Sequence, residues 1–144
     1  MINVPKLTLE DVKKIMDAAE SKARSIGVDM DIAIVDDGGH LLMFLRMDGA
    51  KITSIQVSID KAFTAAGARR PTHEYAAVAG AGGPAFGIHV SHQGRFSIVG
   101  GGFPIFVEGR IVGAVGCSSG TAEQDREVAE AAIQTFLKGM SKKG

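Results

Sequence analysis

The sequence has a single cysteine, no net charge and few prolines, and the first two of these shortages exclude whole classes of protein. Because Cys117 has no partner in the chain, an intrachain disulfide and a secreted disulfide scaffold are excluded. Its apolar neighbours favour a small buried hydrophobe over a reactive thiol. Basic and acidic residues balance at 16 each, and no basic cluster exceeds Arg69–Arg70 or Lys142–Lys143. This balance argues against nucleic acid or an anionic membrane as the main partner.

Long apolar runs and strong catalytic motifs are also missing. No stretch approaches the length of a membrane span, and the first residues lack a signal-peptide hydrophobic region, so we expect a cytoplasmic protein. The sequence contains no Gly-x-Ser-x-Gly, no phosphate loop ending in Gly-Lys-Ser/Thr, no His-Glu-x-x-His and no Cys-x-x-Cys. A compact neutral or acidic small molecule is therefore the expected ligand.

Glycine, in contrast, is abundant, with 19 residues against four prolines, and most of the excess falls between residues 80 and 120. Because these glycines form no low-complexity repeat, they indicate a shaped backbone and not disorder. The length of 144 residues and the hydrophobic content of 45% suit one domain, over residues 1–144, with a single core.

The apolar periodicity predicts an α+β domain with a five-stranded antiparallel sheet, because strands joined by hairpins cannot be parallel neighbours. The last helix should end on Lys138, Lys142 and Lys143, whose charge suits a helix C-terminus. The predicted elements are a helix between Thr8 and Gly27, strands Met30–Val35 and His40–Arg46, a helix over Ile52–Ala68, a short helix from Thr72, candidate short strands Phe86–Val90 and Arg95–Val99, strands Phe103–Val107 and Ile111–Cys117, and a helix over Ala122–Leu137.

The hairpin from Gly100 to Cys117 concentrates the unusual residues. Apolar residues fill both faces of its strands, which predicts a sheet covered on each side. Gly113 and Gly116 leave gaps for another backbone or a flat ligand. Thr121 with Gln124 forms a capping box, and the helix amides that it orients toward Ser118 either bind an anion or only cap the helix.

Arg46, Asp48 and Lys61 form a predicted polar cluster where a strand turns into a helix. It is either a structural salt bridge or a site in which Arg46 binds a carboxylate and Lys61 is a polar or acid–base partner. In the second case Ser118 and the amides near Thr121 would hold the same carboxylate. His73 starts a short helix and is either exposed or near a cofactor, whereas His89 and His92 carry only a weak metal signal.

Several segments together resemble the GlcG/HbpS-like family, which includes the C-terminal domain of PduO-type cobalamin adenosyltransferases and the OrfY-type proteins of glycerol-utilisation operons. The resemblance implies a profilin-like domain whose N- and C-terminal helices flank a five-stranded antiparallel sheet, and which assembles into homo-oligomers. The matching segments are Val35–Asp36 with Gly38–Gly39, Arg46–Ala50, Asp60–Ala62 with Thr64–Ala66, Gly100–Gly102 with Pro104–Ile105, and Val112–Gly116 with Ser118–Asp125.

The family resemblance implies a haem-binding or corrinoid-binding accessory protein, linked to cobalamin-dependent diol or glycerol metabolism. Pro71–Glu74 looks like the Thr-His-Glu segment of the PduO-type domains, which makes His73 the candidate axial ligand of a haem iron. Gly101 and Gly102 would then border the flat ring. Two alternatives stay open: a lyase that acts on an aromatic or short carboxylate such as a hydroxylaminobenzoate, with Arg46 and Lys61 as its catalytic candidates, and a non-catalytic oligomeric assembly module.

Overall fold

The computed structural model describes residues 1–141, and the predicted closing residues Lys142 and Lys143 lie outside this range. The described chain contains one four-stranded sheet with the order β2-β1-β4-β3, in which every neighbouring pair is antiparallel. The elements are α1 (Leu9–Ser25), β1 (Asp31–Asp36), β2 (Leu41–Arg46), α2 (Ser54–Ala68), α3 (Thr72–Ala76), a 3-10 segment (Ile88–Gly94), β3 (Gly102–Val107), β4 (Arg110–Ser118) and α4 (Ala122–Ser141).

The α+β class is confirmed, but the prediction of five strands is wrong, and the profilin-like description stays a prediction. Phe86–Val90 and Arg95–Val99 form no strand, although alternating apolar residues in the first segment imitate one. His92 and Gln93 adopt left-handed backbone angles with φ of 55° and 59°, which bends the chain away from an extended path. Phe86 and Val90 are instead exposed at 63% and 69%.

Helices cover both faces of the sheet, as the apolar pattern predicted. The side chains of β1 alternate, so that Ile32 and Ile34 pack toward α1 and α4 while Ala33 and Val35 pack toward α2. On the α1 side, Thr8 begins the helix with a capping box to Asp11. The core against α1 and α4 contains large aliphatic residues, whereas the core against α2 is mostly alanine, which brings α2 close to the sheet.

The predicted gaps in the sheet are real, and the helix backbone fills the most important one. A Cβ atom on Gly116 would lie 2.1 Å from the carbonyl oxygen of Ser58 and 2.6 Å from the amide nitrogen of Ala62, both in α2. Of the two occupants that we predicted, a second backbone and a flat ligand, the backbone takes this gap. None of the helices in residues 1–141 combines the length and the apolar character needed to cross a lipid bilayer.

Candidate functional site

His73 lies in α3, which the neighbouring residue fastens to the sheet. The buried hydroxyl of Thr72 accepts a hydrogen bond of 2.9 Å from the amide of Gly102, at the start of β3. This contact places the half-buried His73 ring 5.5 Å, between centroids, from the ring of Phe103. The first turn of this short helix is therefore fixed relative to β3 by the Thr72 hydrogen bond and the His73–Phe103 ring contact.

The imidazole of His73 has one buried nitrogen, which leaves Nε2 as the atom that could reach a metal. Its Nδ1 atom is buried and has no hydrogen-bond partner among residues 1–141. Burial lowers the pKa of His73, the positive charge of Arg126 lowers it further, and Glu74 and Glu130 act in the opposite direction. At neutral pH the ring is consequently uncharged, as iron ligation requires.

The surface beside His73 includes Gly100 and a side chain of α4. A Cβ atom on Gly100 would lie 3.2 Å from the His73 Cβ and 3.1 Å from the Arg126 Cδ, so glycine at this position leaves room for both side chains. Arg126 also borders a surface cavity of about 260 Å³ whose other lining residues are Glu123, Glu127 and Glu130. A neutral imidazole thus lies next to one cation and a group of carboxylates.

Gly101 and Gly102 do not form an open surface for a ring. Both are buried, and a Cβ on Gly102 would lie 2.4 Å from the carbonyl oxygen of Lys61, while one on Gly101 would lie 2.6 Å from that of Cys117. In this structure the two glycines allow the close packing of β3 against α2 and β4, and the expectation that they border a cofactor stays a prediction.

Lys61 is fully engaged in a buried ion pair and does not join the predicted polar cluster. Its Nζ donates hydrogen bonds of 2.9 Å to the Asp125 carboxylate and to the Cys117 carbonyl, and both charged side chains are at most 3% exposed. Burial raises the pKa of Asp125, although the ammonium group and the amide of Gly120 favour its charged form. This burial supports a structural role for Lys61, and its acid–base role stays a prediction. Burial likewise raises the pKa of the Cys117 thiol, as expected for an unreactive cysteine.

Arg46 lies in β2, which is an edge strand of the sheet, and it is exposed. It shares a cavity of about 140 Å³ with Asp48, Asp29 and the paired residues Glu20 and Arg24. Arg46 and Asp48 thus line one cavity, with no ion pair between them in the described part of the chain, and β1 separates strand β2 from the β4 carbonyl that Lys61 contacts.

Asp31 lies between Arg46 and Ser118, two residues of the predicted carboxylate site. In the strand register Asp31 is opposite Arg46 on one side and opposite Ser118 on the other, which separates these two by about 10 Å. Asp31 is 0% exposed, and neither carboxylate oxygen has a hydrogen-bond partner in the described part of the chain. Burial raises the pKa of Asp31 and the charge of Arg46 opposes this. In the sequence, Asp31 is only a single acidic residue at the start of an apolar strand, and this pattern alone does not indicate a site.

The start of α4 at Thr121 is capped by its own residues, which is the second of the two alternatives predicted for these amides. The Thr121 amide donates to Gln124 Oε1 at 2.9 Å, the Gln124 amide donates to the Thr121 hydroxyl at 3.1 Å, and the Gly120 amide donates to Asp125. With these donors occupied and Asp31 between Arg46 and Ser118, the carboxylate site predicted from these residues lacks the groups that it needs.

The remaining histidines give no metal site. Within residues 1–141, no three His, Cys, Asp or Glu side chains are grouped as metal ligands. His89 packs against Phe86, with centroids 5.8 Å apart, whereas His92 packs against Phe63 at 5.4 Å. The two rings therefore belong to different aromatic contacts.

Known proteins resemble this chain over most of its length. It is 42% identical, over 90% of the chain and 92% of the relative, to an uncharacterized 15.0 kDa protein in the dhaT-dhaS intergenic region of Citrobacter freundii. The corrinoid adenosyltransferase PduO of Citrobacter freundii is 32% identical over 88% of this chain, which corresponds to only 38% of PduO.

The fold is shared with solved structures of similar size. ORFY of Klebsiella pneumoniae superposes with a TM-score of 0.92 at 35% identity, covering 95% of this chain and 94% of that one. The structure of a PduOC:heme complex superposes with a TM-score of 0.87 at 30% identity, covering 91% and 95%. The family model described as haem degrading protein HbpS-like matches residues 7–134, and the chain therefore belongs to the HbpS-like family.

Proposed function

We propose that this protein is an accessory protein that binds haem or a related tetrapyrrole, with His73 as the axial ligand. The observation that carries the proposal is the half-buried imidazole of His73, whose lowered pKa favours the neutral form and whose buried Nδ1 leaves Nε2 as the nitrogen available to iron. The relative PduOC, which is 30% identical and was solved as a complex with heme, supports the same ligand class.

The residues around His73 have side-chain types that are chemically suited to a haem. Phe103 supplies an aromatic face next to the imidazole, and Arg126 supplies a cation on the adjacent helix. A bound haem would contribute an iron centre and a conjugated ring. The protein's own part is to hold the imidazole uncharged and oriented, to keep water away from its buried nitrogen, and to place positive charge beside the ring.

A role near cobalamin-dependent diol or glycerol metabolism belongs to the same proposal. Its support is the similarity to part of the corrinoid adenosyltransferase PduO. Binding of a corrinoid itself, and a cytoplasmic location, stay predictions. The lyase alternative has less support, because the amine of Lys61 is buried in an ion pair with Asp125.

Hemin titration tests the assignment of His73. We expect the wild-type protein to shift the Soret band and His73→Ala to bind hemin at least about tenfold more weakly, the usual loss when a ligand contact is removed. His92→Ala, which removes an exposed histidine from another part of the surface, is the matched control. Because protonation competes with iron, binding should also weaken as the pH falls below about 6.5 and through the lowered pKa of His73. Equal spectra and affinities for the wild type and His73→Ala would refute the assignment.

We also propose that the chain forms homo-oligomers. Leu41 and Leu42, on the edge strand β2, are 48% and 39% exposed, and Ile52 and Val57 near and within α2 are 70% and 39% exposed. An open strand edge with exposed apolar side chains is a surface that proteins usually cover. Light scattering at micromolar concentration should give a mass above 15.0 kDa, and a monomer there would contradict the proposal.

A further inference from the structure

A cavity of about 300 Å³ is lined by residues of α2, by Tyr75 of α3 and by residues of the segment that follows α3. Neither Phe103 nor Arg126, the neighbours of His73, belongs to its lining. The lining includes Phe63, Gly67, Ala68, Tyr75, His92 and Phe96. This volume is at the lower end of the range for small-molecule sites and suits one or two aromatic rings, not a macrocycle.

The aromatic residues are arranged as two edge-to-face pairs. Phe63 and His92 have centroids 5.4 Å apart with an interplanar angle of 75°, and Tyr75 and Phe96 have centroids 4.8 Å apart at 86°. Such pairs present both ring faces and ring edges, and a planar ring is attracted to each of them. The walls are therefore already shaped for a flat aromatic guest.

The charges around the cavity cancel. Arg95 lies 3.9 Å above the Phe63 ring and pairs with Asp60 at 3.2 Å. Arg70 lies 5.1 Å from the Tyr75 ring and pairs with Glu74 at 2.9 Å. Because each cation has its own carboxylate, the surroundings favour a ligand without net charge. His92, the exposed ring of the lining, offers a nitrogen to one polar substituent.

Gly67 is the residue that keeps the space open. It lies inside α2, where glycine costs about 1 kcal/mol relative to alanine. A Cβ atom at this position would meet no atom within 4 Å, so neither a close contact nor a positive φ requires glycine there. The absence of a side chain at this position leaves the cavity open next to the last turns of α2.

We propose that this cavity binds a small, uncharged planar aromatic molecule of one or two rings between the Phe63–His92 and Tyr75–Phe96 pairs. This site goes beyond the proposed binding of a tetrapyrrole and does not depend on it. His73 contacts Phe103 and Gly100, whereas Tyr75 of the same short helix contacts Phe96.

Indole is the probe for this site, because the chain has no tryptophan and Tyr75 is its only tyrosine. Tyr75 emission therefore reports on the cavity wall without any other emitter in the protein. We expect indole to quench this emission in a saturable manner, with a blue shift of its own fluorescence. Cyclohexanol, a ring of similar size without aromaticity, should not compete for the site.

Gly67→Leu separates binding from folding. The leucine fills the cavity and should weaken indole binding at least about tenfold, while the unfolding midpoint stays equal or rises because a glycine leaves a helix. Gly139→Leu is the matched control, since Gly139 lies in α4 and also has open space at its Cβ. It should leave indole binding unchanged. His73→Ala should also leave it unchanged, so that failure of the haem proposal and of this one are distinguishable.

A direct measurement on the wild-type protein keeps the proposal falsifiable if Gly67→Leu fails to fold. Nuclear Overhauser contacts between indole and the ring protons of Tyr75 should appear at saturating indole. Their absence, a linear quenching curve, or equal indole affinity in the wild type and a folded Gly67→Leu would each overturn the proposal.

Discussion

At the scale of single residues, two buried acidic groups have opposite effects on stability. Asp125 accepts hydrogen bonds from Lys61 and from the Gly120 amide, so its charge is compensated on both oxygens. Asp31 has no such partner for either oxygen among residues 1–141. A compensated buried pair is costly to break, whereas an uncompensated carboxylate is costly to keep.

The Lys61–Asp125 pair should show strong coupling. Lys61→Met or Asp125→Leu alone should lower the free energy of unfolding by about 3–5 kcal/mol, because each change leaves a buried charged partner unpaired. The double change Lys61→Met with Asp125→Leu should lower the free energy of unfolding by much less than the sum of the two single losses. Urea denaturation of all four proteins measures this, with Arg24→Gln in the exposed Arg24–Glu20 pair as a control of little effect. Additive losses would contradict the structural role of the pair.

Asp31 should destabilise the protein as the pH rises. Burial raises its pKa in the folded state above the unfolded value of 3.8, so the folded state binds a proton more tightly. The penalty is absent below pH 3.8, grows as the pH approaches the raised pKa, and is complete above it. Asp31→Asn should therefore gain stability over the wild type with increasing pH, as measured by denaturation between pH 3.5 and 8.

Asp36 provides the control of opposite sign for that experiment. Burial would raise the pKa of Asp36, but hydrogen bonds from the amides of His40 and Gly38 lower it overall. Its contribution is present above the unfolded value of 3.8 and is lost as the pH falls through the lowered folded pKa. Asp36→Asn should thus lose stability at neutral pH. A pH profile of Asp31→Asn parallel to that of the wild type would contradict the account of Asp31.

At the scale of elements, the contact between α2 and β4 decides how closely the two layers approach. Gly116 allows the backbone of α2 to touch the strand, and the alanine-rich core around Ala62 and Ala114 continues this contact. The same alanine and glycine residues are too small to mark a core by hydrophobicity alone, so the pattern predicts a covered face but not the closeness of the helix.

Gly116→Ala should separate these elements. The new methyl group would lie 2.1 Å from a carbonyl oxygen of α2, so the helix must shift, at a cost of about 1–3 kcal/mol or more. Gly139→Ala, where a Cβ meets nothing within 4 Å, should instead gain roughly 0.5–1 kcal/mol as an ordinary helix substitution. Thermal unfolding of both variants measures the difference. A neutral Gly116→Ala would show that α2 does not pack as described.

At the scale of the whole molecule, one sheet joins the two cores. The α1 and α4 core and the α2 core use alternate residues of the same strands, so neither can lose its packing without the other. Residues 1–144 should therefore unfold as a single domain. Tyr75 emission, which reports on the α2 side, and far-UV circular dichroism should give coincident urea transitions. An earlier transition of the Tyr75 signal would contradict this.

The sequence by itself determined the features that depend on near neighbours along the chain. The helical periodicities of α1 and α4, the capping boxes at Thr8 and Thr121, and the hairpins all follow from residues a few positions apart. The pattern also predicted a helix at α2, but not its buried face, since Ser58 and Lys61 are buried there while Ile52 is exposed. The apolar residues on both faces of β3 and β4 also predicted that the sheet is covered on each side. Local sterics and hydrogen bonding are sufficient for each of these.

Only the tertiary structure decided which distant residues meet. Lys61 pairs with Asp125 across 64 positions, Asp31 lies between Arg46 and Ser118 through the register of three strands, and Tyr75 meets Phe96 across a bend at His92 and Gln93. A charge or ring has several acceptable partners in the sequence, and the packing of the layers selects one. The candidate sites at His73 and beside Gly67 are consequences of that selection.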